Sequence, residues 1–383
     1  MSEEANKVTA DVRGRIAAAQ NDRGKIKPMK LVIAGAIVAL LIGVVFALQV
    51  LNSHGDENVT LSGAGATFPF PLISKWVQVY ENDTSVRVSY EGVGSSGGIS
   101  RIVDDLVDFA GTDVPLATDK DDLGLLHIPE TLGAVVCAYN VPELGNGLNL
   151  TGDVIAGIFM LDITNWNDPE IASINPGLTL PDEPITVVRR ADGSGTTFIW
   201  SSYLSKVNGT WMELYGASKT IDWPTETIGG TGNGGVAGLM STTPYSIGYL
   251  ELSYAVENEI DCAAIQNLEG LFVLPSTEST VAAATASAAI LPAGDESWNG
   301  VEILNAHGDN SYPIASFTYI LVYKEQADNQ KGKALVDFLW WMVHDGQAYS
   351  DNLYYAPLPS EVVELNEETL RSIVCDGEPL YNE

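Results

Sequence analysis

From residue 59 onward, the apolar positions switch repeatedly between two periods. Val59-Thr60-Leu61 opens as a short extended run, and Leu72, Ile73, Trp76, Val77 and Tyr80 then recur at helical spacing. Val86-Arg87-Val88-Ser89-Tyr90 alternates, and Ile99, Ile102, Val103 and Leu106 follow at i, i+3, i+4, i+7. A period of two marks a half-buried strand and a period of 3.6 an amphipathic helix, so these stretches read as strand, helix, strand, helix. Val107–Asp113 reads as a strand that ends in a carboxylate, and Thr131–Val141 as an apolar strand. Ile185-Thr186-Val187-Val188 is a buried strand, and Trp200, Tyr203, Leu204 and Val207 mark the helix behind it. Ser246–Leu250 and Ile314–Tyr323 read as further strands. Glu278–Ala289 is an Ala-rich helix, and Lys333–Trp341 a helix with Leu335, Phe338, Leu339 and Met342 on one face. The acidic tail beyond Leu365 reads as peripheral. Strands alternating with helices predict an α/β fold, whose sites gather at the carboxyl ends of strands.

The turns between these elements carry the chemistry. Gly63-Ala64-Gly65-Ala66-Thr67-Phe68-Pro69, Gly92-Val93-Gly94-Ser95-Ser96-Gly97-Gly98 and Arg190-Ala191-Asp192-Gly193-Ser194-Gly195-Thr196-Thr197 each lead from a strand into a helix start. Helix N-termini expose unpaired N–H groups and partial positive charge, which makes them anion sites. Several such termini predict convergence on one anion, with Arg190 as a fixed cation. Two catalytic readings compete. Gly94–Gly98 satisfies the G-x-S-x-G nucleophile pattern with Ser96, but a base such as His307 or His344 would lie far off in sequence. Gly230-Thr231-Gly232-Asn233-Gly234-Gly235 matches G-x-G-x-x-G, yet Asp222–Glu226 before it makes a poor strand for a dinucleotide site. Neither reading is favoured, so no enzymatic activity is expected.

Charge narrows the partners. The 383 residues carry 19 basic and 50 acidic side chains, net −31. Such a surface repels polyphosphate backbones, so nucleic acid is excluded as a partner and any anion site must be built locally from dipoles. The three cysteines, Cys137, Cys262 and Cys375, lack metal-ligand spacing, and the four histidines form no cluster, so no metal or cofactor is expected. Whether two of the cysteines pair is left open.

The first 30 residues hold seven basic and four acidic side chains, net +3, against −34 for the rest. Leu31–Val50 follows, twenty residues with Gln49 as the one strongly polar member, which matches the ~20 residues needed to cross a bilayer. This predicts a cytoplasmic segment 1–30, a retained transmembrane anchor at 31–51, a linker at 52–58 and an extracellular remainder. A cleaved signal peptide is the rival, although its apolar region is usually shorter. Asn-x-Thr sequons at Asn58, Asn82, Asn149 and Asn208 all fall on the outer side.

Over roughly residues 60–360 the chain resembles the PstS family, the phosphate-binding proteins of phosphate ABC transporters. The likeness rests on the three turns above, Asp108-Phe109-Ala110-Gly111-Thr112-Asp113-Val114-Pro115 and Ile163-Thr164-Asn165-Trp166-Asn167-Asp168-Pro169. Gly229–Ala237, Ser246-Ile247-Gly248-Tyr249 and Tyr355-Ala356-Pro357-Leu358-Pro359 extend it. The resemblance implies a two-domain type II periplasmic-binding-protein fold, with lobe 1 from 59–136 and 312–383 and lobe 2 from 137–311. Crossovers near Cys137 and Ser311 would form the hinge, and inorganic phosphate would sit in the cleft for delivery to permease subunits. It also implies phosphate donors at Thr67, Phe68, Ser95, Arg190, Ser194, Gly195 and Thr196, a ligand-facing acceptor at Asp113, and Asp192 holding Arg190.

Overall fold

The computed structural model describes residues 59–116, 123–287, 291–292 and 296–381. The expected anchor at 31–51 lies outside them; among the described residues no helix is long and apolar enough to cross a membrane.

The frame is a mixed sheet whose strands run in the order β2-β1-β3-β12-β4-β8-β6-β7. Its members are β1 (Thr60–Gly65), β2 (Arg87–Gly92), β3 (Phe109–Thr112), β4 (Leu125–Asn140), β6 (Thr186–Arg190), β7 (Ile228–Gly230), β8 (Ser246–Glu251) and β12 (Ala315–Tyr323). β9 (Asp261–Cys262) adds to β4 off this path. β5 (Asn149–Leu150), β10 (Ala264–Gln266) and β11 (Phe272–Val273) form a small separate sheet, and β13 (Val374–Cys375) pairs with β14 (Glu378–Pro379). The pairs β1–β2, β1–β3, β6–β7 and β6–β8 are parallel, as strand–helix–strand grammar requires.

β4 runs longer than the sequence pattern suggested, sixteen residues of which fifteen are buried. Its first part, through Ala134, pairs with β12, and from Val135 it pairs with β8. One strand therefore ties the β1–β2–β3–β12 half of the sheet to the β6–β7–β8 half. The register with β12 slips between Thr318 and Tyr319, which leaves Glu130 unpaired opposite them. Pro129 beside it cannot donate a ladder bond, so a bulge is tolerated there.

The helices that carry function are α1 (Phe70–Asp83), α2 (Ser95–Val103), α3 (Gly195–Val207), α4 (Gly232–Thr242) and α5 (Leu252–Glu257). α1 buries Leu72, Ile73, Trp76 and Tyr80, and α3 buries Trp200, Tyr203 and Leu204, the positions its periodicity marked. α2 ends earlier than expected. Asp105 turns left-handed (φ 56°) and Leu106 N–H closes back on Arg101 O, so Leu106 lies beyond the helix and is exposed. Such a backbone reversal satisfies carbonyls at a helix end. Close approach of α2 to the sheet requires glycine: a Cβ on Gly98 would sit 2.5 Å from Gly65 Cα.

The acidic tail is not peripheral. Residues Ser360–Arg371 form a helix that buries Val362 and Leu370, and Asn366 Nδ2 donates to Pro129 O at 2.7 Å. Ile373, Cys375 and Leu380 are buried as well. The tail's charges sit on one face, and its apolar face covers the sheet. Cys137, Cys262 and Cys375 are free thiols, so no disulfide links them. Among the sequon asparagines, Asn149 Nδ2 donates to Ile174 O and Asn208 Nδ2 to Asp153, so both are engaged in local structure.

Candidate functional site

The site residues all follow the carboxyl ends of strands. β1 leads to Thr67 and Phe68, β2 to Ser95 through Gly94 (φ 80°), and β3 to Asp113. From the other half of the sheet, β6 ends in Arg190 and leads to Asp192, Ser194, Gly195 and Thr196. Ser194 caps α3 by accepting from Thr197 N–H at 3.1 Å, and the Gly195 N–H before it points across to Ser95 of the other half of the sheet.

The two halves meet at Gly195. Its N–H donates to Ser95 Oγ at 3.2 Å, and Asp113 N–H donates to the same oxygen at 3.4 Å. Ser95 Oγ in turn donates to Asp113 Oδ2 at 3.4 Å. A Cβ on Gly195 would lie 2.5 Å from Asp113 Cβ, so only glycine permits this approach. The adjoining loops touch too, with Ser96 N–H donating to Gly193 O at 3.3 Å.

Arg190 is 2 % exposed, which makes it a fixed buried cation. Asp192 grips it from both ends of the fork: Nε donates to Oδ1 at 2.8 Å and Nη2 donates to Oδ2. The remaining nitrogen, Nη1, reaches Thr196 Oγ1 at 3.2 Å. Burial by itself would raise the pKa of Asp192, but the hydrogen bonds and charge of Arg190 outweigh it and hold the carboxyl below its usual range.

Asp113 is in the opposite situation. It is buried, and its Oδ1 has no hydrogen-bond partner in the protein. Desolvation pushes its pKa up to about 7, against the charge of Arg190 and the hydroxyl of Ser95. A buried acceptor without a partner costs ~1–3 kcal/mol, more when charged, so this oxygen calls for a donor.

Thr67 joins the cluster through a residue the sequence reading did not single out. Asn233, at the start of α4, donates from its backbone and its side chain to Thr67 Oγ1 and from its side chain to Thr196 Oγ1. Tyr254 Oη on α5 donates to Thr67 O at 2.7 Å. Phe68 is fully buried, and its carbonyl accepts from Tyr355 Oη at 2.7 Å. Tyr355 also bonds Glu251, a carboxylate buried at the end of β8 whose pKa burial lifts to about 8. The G-x-G-x-x-G run was visible in the sequence; Asp222–Glu226 before it form no strand, as expected, and the three-residue β7 (Ile228–Gly230) runs into its first glycine. Its helix start serves the site, since Gly232 N–H donates to Asp192 Oδ1 at 3.0 Å.

A cleft of ≈ 300 Å³ opens beside these groups, bordered by Thr67, Phe70, Gly94, Asp192, Gly232 and Tyr254. A larger cavity of ≈ 380 Å³ shares no residue with the site, and its Asp105, Glu325 and Asp328 disfavour an anion. Of the histidines weighed as a base for Ser96, His307 bonds Glu269 and His344 bonds Trp340 O and Glu367. The arrangement suits holding rather than reacting: hydroxyl and N–H groups, one buried guanidinium and one buried carboxylate lie in a single network beside the cleft.

Comparison with known proteins gives the same direction. Residues 52–345 match the PBP superfamily domain. The chain is 40 % identical over 352 residues to the phosphate-binding protein PstS of Pasteurella multocida, covering 90 % of this chain and 98 % of that one. It is 39 % identical over 347 residues to PstS of Methanocaldococcus jannaschii, covering 85 % and 89 %. Among solved structures, the phosphate-bound periplasmic phosphate-binding protein PfluDING superposes with a TM-score of 0.65 at 20 % identity, covering 81 % of this chain and 92 % of that one. That likeness concerns the fold. With its ordered glycine turns and this degree of identity over most of its length, the chain belongs to the PstS-type phosphate-binding proteins of the PBP superfamily, a family of solute-binding proteins and not of enzymes.

Proposed function

We propose that this chain captures inorganic phosphate outside the cell and delivers it to the permease subunits of an ABC-type phosphate importer. Thr67, Phe68, Ser95, Arg190, Ser194, Gly195 and Thr196 supply the donors, Asp113 the acceptor, and Asp192 fixes the guanidinium for bidentate contact. One observation carries the reading: the buried, unpartnered Oδ1 of Asp113 among groups that otherwise donate. Phosphate near neutral pH still bears a proton and can donate to that oxygen, whereas sulfate bears none. The site therefore selects a protonated tetrahedral anion although the chain is strongly acidic.

Lobe 1 (59–136 and 312–383) and lobe 2 (137–311) close on the ligand about crossovers near Cys137 and Ser311, and the closed form is what the permease reads. Helix 31–51 holds the receptor to the membrane with residues 1–30 in the cytoplasm, which keeps it close to its transporter where tethering raises effective concentration. Titration calorimetry with phosphate, arsenate and sulfate at pH 8 tests the ligand: phosphate and arsenate bind, sulfate does not. Equal affinity for sulfate would overturn the role of Asp113. Intact mass of the membrane-extracted protein tests the anchor, and a chain that starts near Leu51 would refute retention.

A further inference from the structure

The glycine run 229–236 places Asn233 where its polar atoms face both halves of the site, and the residue is fully buried. Its Oδ1 accepts from Glu251 N–H at 3.2 Å. That N–H can only donate, so the amide is oriented with Nδ2 toward the threonines. Nδ2 donates to Thr67 Oγ1 and to Thr196 Oγ1, each at 3.3 Å, and Asn233 N–H donates to Thr67 Oγ1 at 3.1 Å. Thr196 Oγ1 also accepts from Arg190 Nη1 at 3.2 Å.

A hydroxyl has two acceptor positions and one proton. On Thr67 both acceptor positions are taken by Asn233, and on Thr196 they are taken by Asn233 and Arg190. None of these groups can receive a proton in return. Each hydroxyl is left with its hydrogen alone to offer, and can meet an anion only as a donor.

We infer that Asn233 is a positioning residue for specificity, which makes Thr67 and Thr196 obligate donors and so dictates which ligand oxygens are unprotonated. This rests on the phosphate reading above. The ligand must present bare oxygens to both threonines, and its protonated oxygen is directed to Asp113. Because Thr67 follows β1 and Thr196 follows β6, the same amide sets donors from both halves of the sheet. Without Nδ2, either hydroxyl can rotate and accept from a P–OH group, so a dihydrogen phosphate anion is tolerated better.

The test is calorimetry with inorganic phosphate at pH 8 and pH 5.5 on the wild type, Asn233→Ala, Thr196→Val and their double variant, with Asn233→Asp added. Asn233→Ala is expected to weaken binding about tenfold at pH 8, the worth of one or two oriented hydrogen bonds. At pH 5.5 the loss narrows to about threefold or less, because the variant accepts the second proton of the ligand. In the Thr196→Val background the alanine change costs much less than alone, since the hydroxyl it orients is gone. Asn233→Asp keeps the side-chain size and the acceptor for Glu251 N–H and removes only the donor, so its affinity is read on protein shown to be folded by its melting transition. It is expected to lose about a hundredfold or more, because its carboxylate captures the hydroxyl protons. Losses that are equal at the two pH values and additive with Thr196→Val would overturn the assignment, as would unchanged affinity in Asn233→Asp. A wild-type protein that binds no phosphate would refute the phosphate reading itself, and this inference with it.

Discussion

Gly195→Ala separates ligand affinity from fold stability. An added Cβ would meet Asp113 Cβ and Oδ2 at 2.5 Å and Ser95 Oγ at 2.7 Å. Relaxed carbon contacts lie near ~3.5–4.0 Å, so α3 and the β3 end must part by about 1 Å. Asp113 Cβ sits one bond from the backbone and cannot swing aside as a long side chain would. Overpacking of this kind costs about 1–3 kcal/mol, and under the lobe closure proposed above the cost falls on the ligand-bound, closed arrangement. The dissociation constant for phosphate should therefore rise about 5- to 150-fold. The helix itself is little affected, because Gly195 is its first residue and the alanine preference of up to ~1 kcal/mol belongs to helix interiors. Ligand-free thermal stability should accordingly hold. Gly238→Ala serves as the control, being helical and exposed with nothing within 4 Å of its added Cβ. Calorimetry gives the affinities, and small-angle scattering with and without phosphate reports closure. A Gly195→Ala protein that binds phosphate within twofold of wild type would refute the claim that contact at Gly195 is part of the bound state.

Asp113→Asn should loosen discrimination against sulfate more than it weakens phosphate, because the amide can donate where the carboxylate only accepts; competitive titration shows which falls further, and lost affinity at unchanged selectivity would count against the role. In the wild type, selectivity should rise with pH through about 7, where burial sets the Asp113 pKa. Below that value the carboxyl is neutral and can donate to sulfate, and above it the charge repels a bare oxyanion; flat selectivity from pH 5.5 to 8.5 would contradict this. Glu130 is fully buried with both carboxylate oxygens unpartnered, and burial lifts its pKa to about 8 from the usual 4.5. Between those values the folded state holds a proton that the unfolded state lacks, so stability falls as pH rises, by up to ~1.4 kcal/mol per unit. Glu130→Gln should flatten that slope and stabilise the protein at pH 8; urea denaturation at pH 5, 6.5 and 8 measures it, and parallel slopes would sink the argument.

Much of the chain was legible because its signals are local. Trp200, Tyr203 and Leu204 needed only helical spacing to mark a buried face, and the turns at Thr67, Ser95 and Arg190 stood out because strand-to-helix corners demand small residues. Where the reading failed, the deciding force was not local. Leu106 fits the apolar period of α2, but the left-handed turn at Asp105 ends the helix first. The tail beyond Leu365 has the composition of a solvated segment, yet Leu370, Ile373 and Leu380 are buried.

By itself the sequence determined the alternation of elements, the glycine corners and the choice of chemistry: an arginine, hydroxyls and a carboxylate at helix starts. Only the tertiary structure decided how these act on one another. It is the fold that brings Gly195 against Asp113 from eighty-two positions away in the chain, leaves one carboxylate oxygen without a partner, and sets Asn233 between two threonines. The physical reason is that hydrogen-bond direction and desolvation depend on what surrounds a group in space. A sequence names the donors and acceptors, and packing determines which of them are left to meet a ligand.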